Sequence, residues 1–569
     1  MKPWWEKWPG RMERELEELR GARIQYERDE TEFAAGRLVL RLRVNINETE
    51  LFFVAVYPDW YPYTRPELRA PDLNLQRHQH PFGKNLCYIG RATLNWDVGD
   101  TVAKHIMESV PNVLRVNEVP DSEEARSLEE PQGEPFTDHY TYLEHSSVLI
   151  DSAWTIDPAV SRGALTLGVE KVAGTFRGAV LRVGTSDRVL VQTEPMIAEL
   201  YPDEKLQARW VRWHEPIRTD DARDILNTVV KKYSDLKIVR SQRNGKKPDI
   251  VGIVFPEEHE RGKYVDGWVF IYRNGLDCVL LRACRAGRDD LSGRSPELRP
   301  LRDTRVVIAG LGTLGSKSAV ELAAAGVGEL RLVDYDYVEA GTTRRWALGL
   351  SAAGKSKVDA LEAYIRANYP YTKVIKHPVM IGGAFQDPQF RDSDHLDKIL
   401  DADLIYDATA EFGIQHLLSD WAAENKKPYI LVSATYGVWG GMVARIRPGR
   451  THGCWVCLQH EINARRIPAP VANDSGFVQV PGCASLTFTG AGFDIGIIAL
   501  SAVRLAVSTL CSGVPGGYPD LGNDVIVIDL RDAGGGMMVP RFQTFVLDRV
   551  RNCNNGLAHA NRMDLKNVA

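Results

Sequence analysis

Eight cysteines scattered over 569 residues are too few for a disulfide framework. A reducing compartment is therefore expected, where each thiol is inert, metal-bound or catalytic. Surplus basic charge is missing too: 70 Lys and Arg stand against 75 Asp and Glu, a formal net charge of -5. That excludes the electrostatic footprint of a nucleic-acid binder. No apolar run reads as a membrane span, and the N-terminus, MKPWWEKWPGRMERELEEL, has no apolar signal core. A cytoplasmic chain without a membrane partner is the expectation. What is present is an ordinary globular composition, 44% hydrophobic and 25% charged. The length exceeds what one core can serve, so three or four domains are expected.

The most informative stretch runs from Arg305 to Lys357. An apolar strand, Val306 to Ala309, leads into Gly310-Leu-Gly312-Thr-Leu-Gly315 and an alanine-rich helix from about Ser316 to Ala325. A second strand, Leu330 to Val333, ends in Asp334. Strand, glycine turn, helix, strand and acid form a dinucleotide fingerprint: the glycines permit close backbone approach, the helix N-terminus faces phosphate and the acid meets a ribose. Its default meaning is an NAD enzyme. The residues beyond Asp334 point elsewhere, because Asp336, Arg345 and Gly354-Lys-Ser-Lys357 follow, a cluster a hydride-transfer enzyme does not need.

Nearer the N-terminus, a charged helix is expected over Arg11 to Arg23, then strands Arg37 to Val44 and Leu51 to Tyr57 about a turn at Asn45-Ile-Asn47. YPDWYPYTRPELRAP cannot be helical, since its four prolines each remove a backbone donor. HQHPFGKNLCYIG places Cys87 in a loop, and Asn95-Trp96 precedes a helix from Val98. This order resembles the ubiquitin-conjugating fold, matched by Tyr61-Pro62, Pro66, His80-Pro81, Cys87 and Trp96. The resemblance implies that Cys87 carries a thioester. Phe82 departs from the pattern, standing where that family has an oxyanion-stabilising Asn, so Asn85 or a backbone amide would have to serve. The plain alternative makes Cys87 a small buried hydrophobe. His78 and His80 are candidates for activating the thiol.

NEVPDSEEARSLEEPQGEPFTDH, residues 117–139, reads as an exposed acidic connector. Residues 140–290 form a mixed domain with strands at Val180 to Val183, Val189 to Gln192, Gly267 to Tyr272 and Cys278 to Arg282, and a helix at Asp221 to Tyr233. Cys278 and Cys284 are expected to be structural, and Arg240 to Lys247 a solvated loop. A polar stretch at 286–303 reads as a second linker.

Taken together, Asp334, Asp336, Arg345 and Lys357 resemble the ThiF/MoeB/HesA superfamily, which includes the ubiquitin-activating enzymes. The resemblance implies ATP and Mg2+ as cofactors and adenylation of a C-terminal carboxylate. Gly310, Gly312 and Gly315 would form the phosphate turn, Asp334 would hold the ribose, and Arg345 (with Arg344 beside it) and Lys357 would lie on the triphosphate. Thr342 replaces the family's Asn. The family's magnesium aspartate falls on Ala410 within Asp403-Leu-Ile-Tyr-Asp407-Ala-Thr-Ala410-Glu411, leaving Asp407 or Glu411 as the hard oxygen ligand. Cys454-Trp-Val-Cys457 is half of a zinc site in part of the superfamily. Zinc is not expected here, because the partner pair is missing and two further ligands would be needed, such as Cys553 with His452 or His460. Cys483, before a long apolar helix at Phe493 to Leu510, takes the position of the thiol that accepts the activated carboxylate. That helix is also the expected place of a homodimer contact.

The expected architecture is multidomain α/β and α+β: a ubiquitin-conjugating-like domain at 1–120, a mixed α/β linker domain at 140–290, and a doubly wound Rossmann-like adenylation domain at 300–550. The layout resembles bacterial fusions of conjugating-type and activating-type domains found in anti-phage CBASS operons. It implies a relay from acyl-adenylate to Cys483, then Cys87, then an acceptor amine. Its implied protein substrate is a cGAS-like nucleotidyltransferase, or a ubiquitin-like protein in related fusions. The competing readings are a ThiF-type adenylyltransferase for a ubiquitin-like or sulfur carrier protein, an NAD oxidoreductase, and a non-catalytic partner-docking protein.

Overall fold

The computed structural model describes residues 2–89, 96–118, 133–172, 174–234, 249–275, 277–382, 393–480, 486–551, 553 and 555. They divide into two compact units, one of Met1–Glu194 with Tyr201–Ala286, the other of Pro195–Leu200 with Gly287–Ala569.

In the first unit, a four-residue helix at Trp4–Lys7 precedes the helix Pro9–Gly21, which starts earlier than expected because Pro9 occupies its first turn, where the missing N–H costs nothing. A four-stranded antiparallel meander follows: Gln25–Arg28, Val39–Ile46, Thr49–Val56 and Glu67–Arg69. Its central hairpin pairs Ile46 with Thr49, and the turn falls on Asn47 (φ 48°) and Glu48 (φ 65°), later than Asn45-Ile-Asn47. Two left-handed residues suit a tight hairpin whose twist matches its strands. The meander packs Leu40, Leu42 and Phe53 against Leu19 and Ile106. Helix formation after Trp96 waits until Val102–Glu108, since Gly99 and Asp100 close a turn on Asp97 and Thr101 caps the helix through the Lys104 amide.

Downstream, eight strands form one sheet in the order Tyr142–Ile150, Asp277–Arg285, Lys263–Asn274, Asp249–Glu260, Glu204–Arg212, Arg162–Val172, Thr175–Gly184 and Val189–Gln192. Tyr142–Ile150 also pairs with Thr175–Gly184, closing the first seven strands into a barrel. Leu165, Val180, Trp210, Trp268 and Phe270 fill one buried cluster. The helix Ala222–Lys232, capped by Asp221, packs Ile225 and Val229 with Ile253 and Val269. Strands thus dominate the region read as mixed.

The second unit is a doubly wound sheet. Its order is Lys373–His377, Glu329–Val333, Arg305–Ala309, Leu404–Asp407, Tyr429–Ala434, Gly440–Ile446, Val525–Arg531 and Met537–Phe545. The first five strands are parallel in the order third, second, first, fourth, fifth; the last three are antiparallel. Apolar clusters cover both faces. The strand order reverses between Arg305–Ala309 and Leu404–Asp407, and a crevice at such a switch point is where open α/β sheets bind ligands. Residues 287–303 are not a loose linker: they form short helical turns, with Leu301 fully buried and Gly328 donating to its carbonyl at 3.0 Å. Gly492–Leu510 meets the length and apolarity of a membrane span, contrary to expectation, but over half of it is buried in this unit. It packs Ile498, Ala502 and Ala506 into the core with Ile430 and Val443.

Candidate functional site

At the switch point the chain leaves Ala309 through Gly310, whose φ of +83° favours glycine. A Cβ there would lie 2.8 Å from the Ala408 carbonyl oxygen, and one on Gly315 would lie 1.9 Å from that of Gly310. Gly312 differs: it precedes the twelve-residue helix Thr313–Ala324, and nothing lies within 4 Å of its Cβ position. Two glycines close the turn, and the third leaves it open at the helix N-terminus.

Side chains hold this turn from both sides. Asp334 is buried, and its Oδ2 accepts the Leu311 amide at 2.7 Å while Oδ1 accepts that of Asp336 at 2.9 Å. The Trp346 indole donates to the Leu311 carbonyl at 2.8 Å. Lys357, the first residue of its helix, places Nζ 2.9 Å from Asp336 Oδ2 and 3.6 Å from Asp334 Oδ2. Gly310, Gly312, Gly315, Asp334, Asp336 and Lys357 are therefore gathered at one strand end. An ammonium on two carboxylates beside an open helix N-terminus offers mixed charge suited to a polyphosphate and a sugar hydroxyl.

Arg345 is stationed differently. Its guanidinium donates to the Phe488 carbonyl and, at 2.6 Å, to Thr487 Oγ1, and lies 4.4 Å from the Phe488 ring centre. Burial lowers its pKa. With Arg344, Glu339 and Gly492 it lines a cavity of about 330 Å3. It thus grips the chain just beyond residues 481–485, and Cys483 lies outside the described residues.

Asp407 cannot serve a metal as placed. It has no exposed surface; Oδ1 accepts the amide (2.9 Å) and hydroxyl (2.7 Å) of Thr409, and Oδ2 accepts Tyr429 OH at 2.7 Å. Burial raises its pKa, the three hydrogen bonds opposing that rise. Asp407 is an internal tie, and Glu411, exposed at the start of the helix Phe412–Glu424, is the carboxylate beyond this strand end which solvent reaches. Ala410 beside it adopts φ +60°, a conformation Asp or Asn tolerates better.

In the first unit Cys87 is exposed, between buried Leu86 and Tyr88. His80 organises the preceding loop: its Nδ1 accepts the amides of Phe82 (3.2 Å) and Gly83 (3.0 Å), and burial lowers its pKa. Phe82 sits edge-on to Phe136 at 5.8 Å and 6.2 Å from Tyr140, against the cluster of Ile217, Ile225 and Phe255. The departure from the conjugating pattern thus has a packing reason, since Phe82 anchors the Cys loop to the strand-rich part of its unit. Replacing Phe82 with alanine should loosen residues 78–87 by roughly 1–3 kcal/mol, read as faster amide hydrogen exchange there. The end of the supposed acidic connector is also packed. A Cβ on Gly133 would meet the His259 carbonyl at 2.6 Å, and Glu134 reaches His78. Sequence reasoning missed Glu134, which carries no local signal in an acidic run.

Cys553 joins the CxxC pair. The Sγ of Cys454 is 3.7 Å from that of Cys457 and 3.6 Å from that of Cys553, all three within 4.8 Å. Hydrogen bonding from Cys454 holds the Cys457 thiol well below the ordinary range. Three thiols fit three corners of a zinc tetrahedron, and among the described residues no histidine joins the group. The expectation against zinc rested on the missing partner pair and named Cys553 only as one candidate for the two further ligands. Metal analysis should return about one zinc per chain, and Cys454→Ser should abolish it and lower the thermal midpoint.

Comparison with known proteins gives a consistent picture. Residues 290–529 match the ThiF family. The uncharacterized protein y4oA of Sinorhizobium fredii is 30% identical over 598 residues, covering 97% of each chain. The uncharacterized protein y4qC of the same organism is 32% identical over 526 residues, 85% of this chain and 86% of that one. A shorter match, 40% over 135 residues, is to the adenylyltransferase and sulfurtransferase uba4 of Emericella nidulans, covering 24% of this chain and 26% of that protein.

Proposed function

This chain belongs to the family of y4oA and y4qC and carries a ThiF-family adenylation domain, and from that premise we propose that it activates the C-terminal carboxylate of a protein partner with ATP and conjugates it through two thiols. The observation that carries the reading is the open glycine turn with Asp334, Asp336 and Lys357 gathered on it. The triphosphate lies along Gly312 and the helix N-terminus, a ribose hydroxyl donates to Asp334, and Lys357 neutralises charge on the departing pyrophosphate. The carboxylate oxygen attacks the α-phosphorus and pyrophosphate leaves, giving an acyl-adenylate. Mg2+, where bound, offsets phosphate charge; Glu411 is the accessible carboxylate for it.

The thiol of Cys483 then takes the acyl group and releases AMP. Cys87 receives it by transthiolation, and an amine completes the transfer. The exposure of Cys87 supports its part in this route. The partner is a cGAS-like nucleotidyltransferase, with a ubiquitin-like protein as the other candidate, and the setting is cytoplasmic anti-phage defence of the CBASS kind. Both follow from the resemblance of the domain layout. The protein works as a homodimer through its adenylation domain.

The test incubates the full chain with ATP, Mg2+ and each candidate partner and separates the products without reductant. A thiol-sensitive adduct lost in Cys483→Ala supports activation. An adduct that persists on Cys483 without final conjugates in Cys87→Ala supports the order of the relay. If pyrophosphate exchange continues and neither cysteine matters, the chain is an adenylyltransferase alone.

A further inference from the structure

We propose that His78, oriented by Glu134, is the base that takes the thiol proton of Cys87; this rests on Cys87 being an acyl acceptor. Residues 78–80 and 85–87 run antiparallel about the bridge pair Gln79 and Leu86. The Cys87 amide donates to the His78 carbonyl at 2.7 Å, and that of His80 to the Asn85 carbonyl at 2.8 Å. His78 and Cys87 therefore hold opposite register positions on these two short runs, the backbone amide of one bonded to the carbonyl of the other.

Of the two histidines in this loop, His80 is already committed. Its Nδ1 accepts two amides, which requires that nitrogen unprotonated and assigns the ring to loop structure. His78 has the opposite arrangement. Its Nδ1 lies 3.1 Å from Glu134 Oε1, and its own amide donates to both Glu134 oxygens at 2.9 and 3.1 Å. A carboxylate on Nδ1 keeps the proton there and makes Nε2 the accepting atom. The grip also holds His78 at φ +61°, a conformation that persists only where surroundings impose it.

Glu134 is fixed in turn. Its amide donates to Glu258 Oε2 at 2.9 Å, and Arg77 Nη1 bonds both oxygens of Glu258 at 3.1 and 3.0 Å. Glu258 also accepts the Gly262 amide at 2.9 Å. The orienting acid thus comes from the segment entering the barrel and is braced by a barrel strand. Exposed thiol, opposed imidazole and braced carboxylate make a Cys–His–Glu arrangement, the general form of an activated nucleophile.

In the step, the sulfur of Cys87 bonds to the acyl carbon of the incoming thioester. The bond from that carbon to the donor sulfur breaks, the donor leaves as a thiolate, and the Cys87 proton passes to His78 Nε2. Iodoacetamide reports the same activation without ATP or partner: a sulfur–carbon bond forms, iodide leaves with the electron pair, and the proton goes to Nε2.

The experiment follows carboxamidomethylation of Cys87 in the full-length chain by mass spectrometry of its peptide, with Cys87→Ser as blank. His78→Gln should slow the reaction by about tenfold or more, and exogenous imidazole should restore much of the rate in His78→Ala. Glu134→Gln, which keeps the side chain's size, should slow it too, and Glu134→Asp should recover part. A rate within twofold of the parent in His78→Gln or Glu134→Gln overturns the assignment, as does a slow His78→Ala that imidazole leaves slow. The two readings separate cleanly. Thioester forming on Cys87 at full rate in His78→Gln removes the base and keeps the relay; imidazole-rescued alkylation with no Cys87 thioester under any condition removes the relay and keeps the base.

Discussion

Replacing Lys357 with methionine is expected to lower ATP–pyrophosphate exchange by about 10²–10³-fold, the usual effect of removing one donor aimed at charge that develops in a transition state. Lys357 contacts two carboxylates at 2.9 and 3.6 Å, so the substitution also leaves Asp336 and Asp334 without their cation. That structural cost is modest. Asp336 is exposed to solvent over 40% of its side chain, which screens the pair, and Asp334 keeps its two amide donors. Methionine retains the stem that packs at the helix start, so stability should fall by only about 1 kcal/mol. The two effects separate on measurement: exchange at saturating ATP reports transition-state stabilisation, and the thermal midpoint reports the lost ion pairs. A large loss of exchange with an intact midpoint assigns Lys357 to chemistry. Equal collapse of both assigns it to holding Asp334 and Asp336 together, and the proposed charge-neutralising role fails.

Much of the adenylation domain was legible because its signals are local. Val306 to Ala309 is apolar throughout, as a strand buried on both faces must be, and three glycines at fixed spacing need only the neighbouring strand and helix to acquire their meaning. Asp334 and Lys357 were legible for the same reason. Each sits at a strand end or helix start that the hydrophobic pattern marks, so its position in space follows from its position in sequence. Asp407 was misread because its partner is distant. Only the fold brings Tyr429, 22 residues on, to donate into its second oxygen and turn a candidate metal ligand into a buried tie. The packing role of Phe82 and the partner of Glu134 failed to register for a related reason. An aromatic replacing a polar residue reads as a loss until Phe136 and Tyr140 appear beside it, and one more glutamate in an acidic run reads as solvent until His78 is found 3.1 Å away. Cys553 lies 96 residues past Cys457, so the sequence could name it only as one candidate ligand, whereas the fold places the thiols in one cluster.

The glycine turn yields the other large effect, because its glycines are needed for different reasons. Gly315→Ala should abolish nucleotide binding by unfolding the turn: its methyl would stand 1.9 Å from the Gly310 carbonyl oxygen, a backbone atom that cannot rotate aside. Relief requires the helix Thr313–Ala324 to part from the strand Arg305–Ala309, and the buried Leu314, Ala319 and Leu322 would be displaced with it. A cost of about 4–5 kcal/mol or more is expected, enough to show as loss of the folded adenylation domain in denaturant titration. Gly312→Ala should leave the fold nearly untouched, since its methyl meets nothing within 4 Å and the helix loses at most about 1 kcal/mol at its cap. What the methyl occupies is the open approach to the helix N-terminus. ATP binding should therefore weaken by about 10- to 100-fold, the equivalent of losing one charge-assisted hydrogen bond to phosphate. Calorimetric titration of ATP against both variants, beside their unfolding curves, decides the matter. An alanine at 312 that binds ATP as tightly as glycine would mean that the nucleotide does not lie over this turn, and the adenylation site would have to be sought elsewhere along the sheet edge.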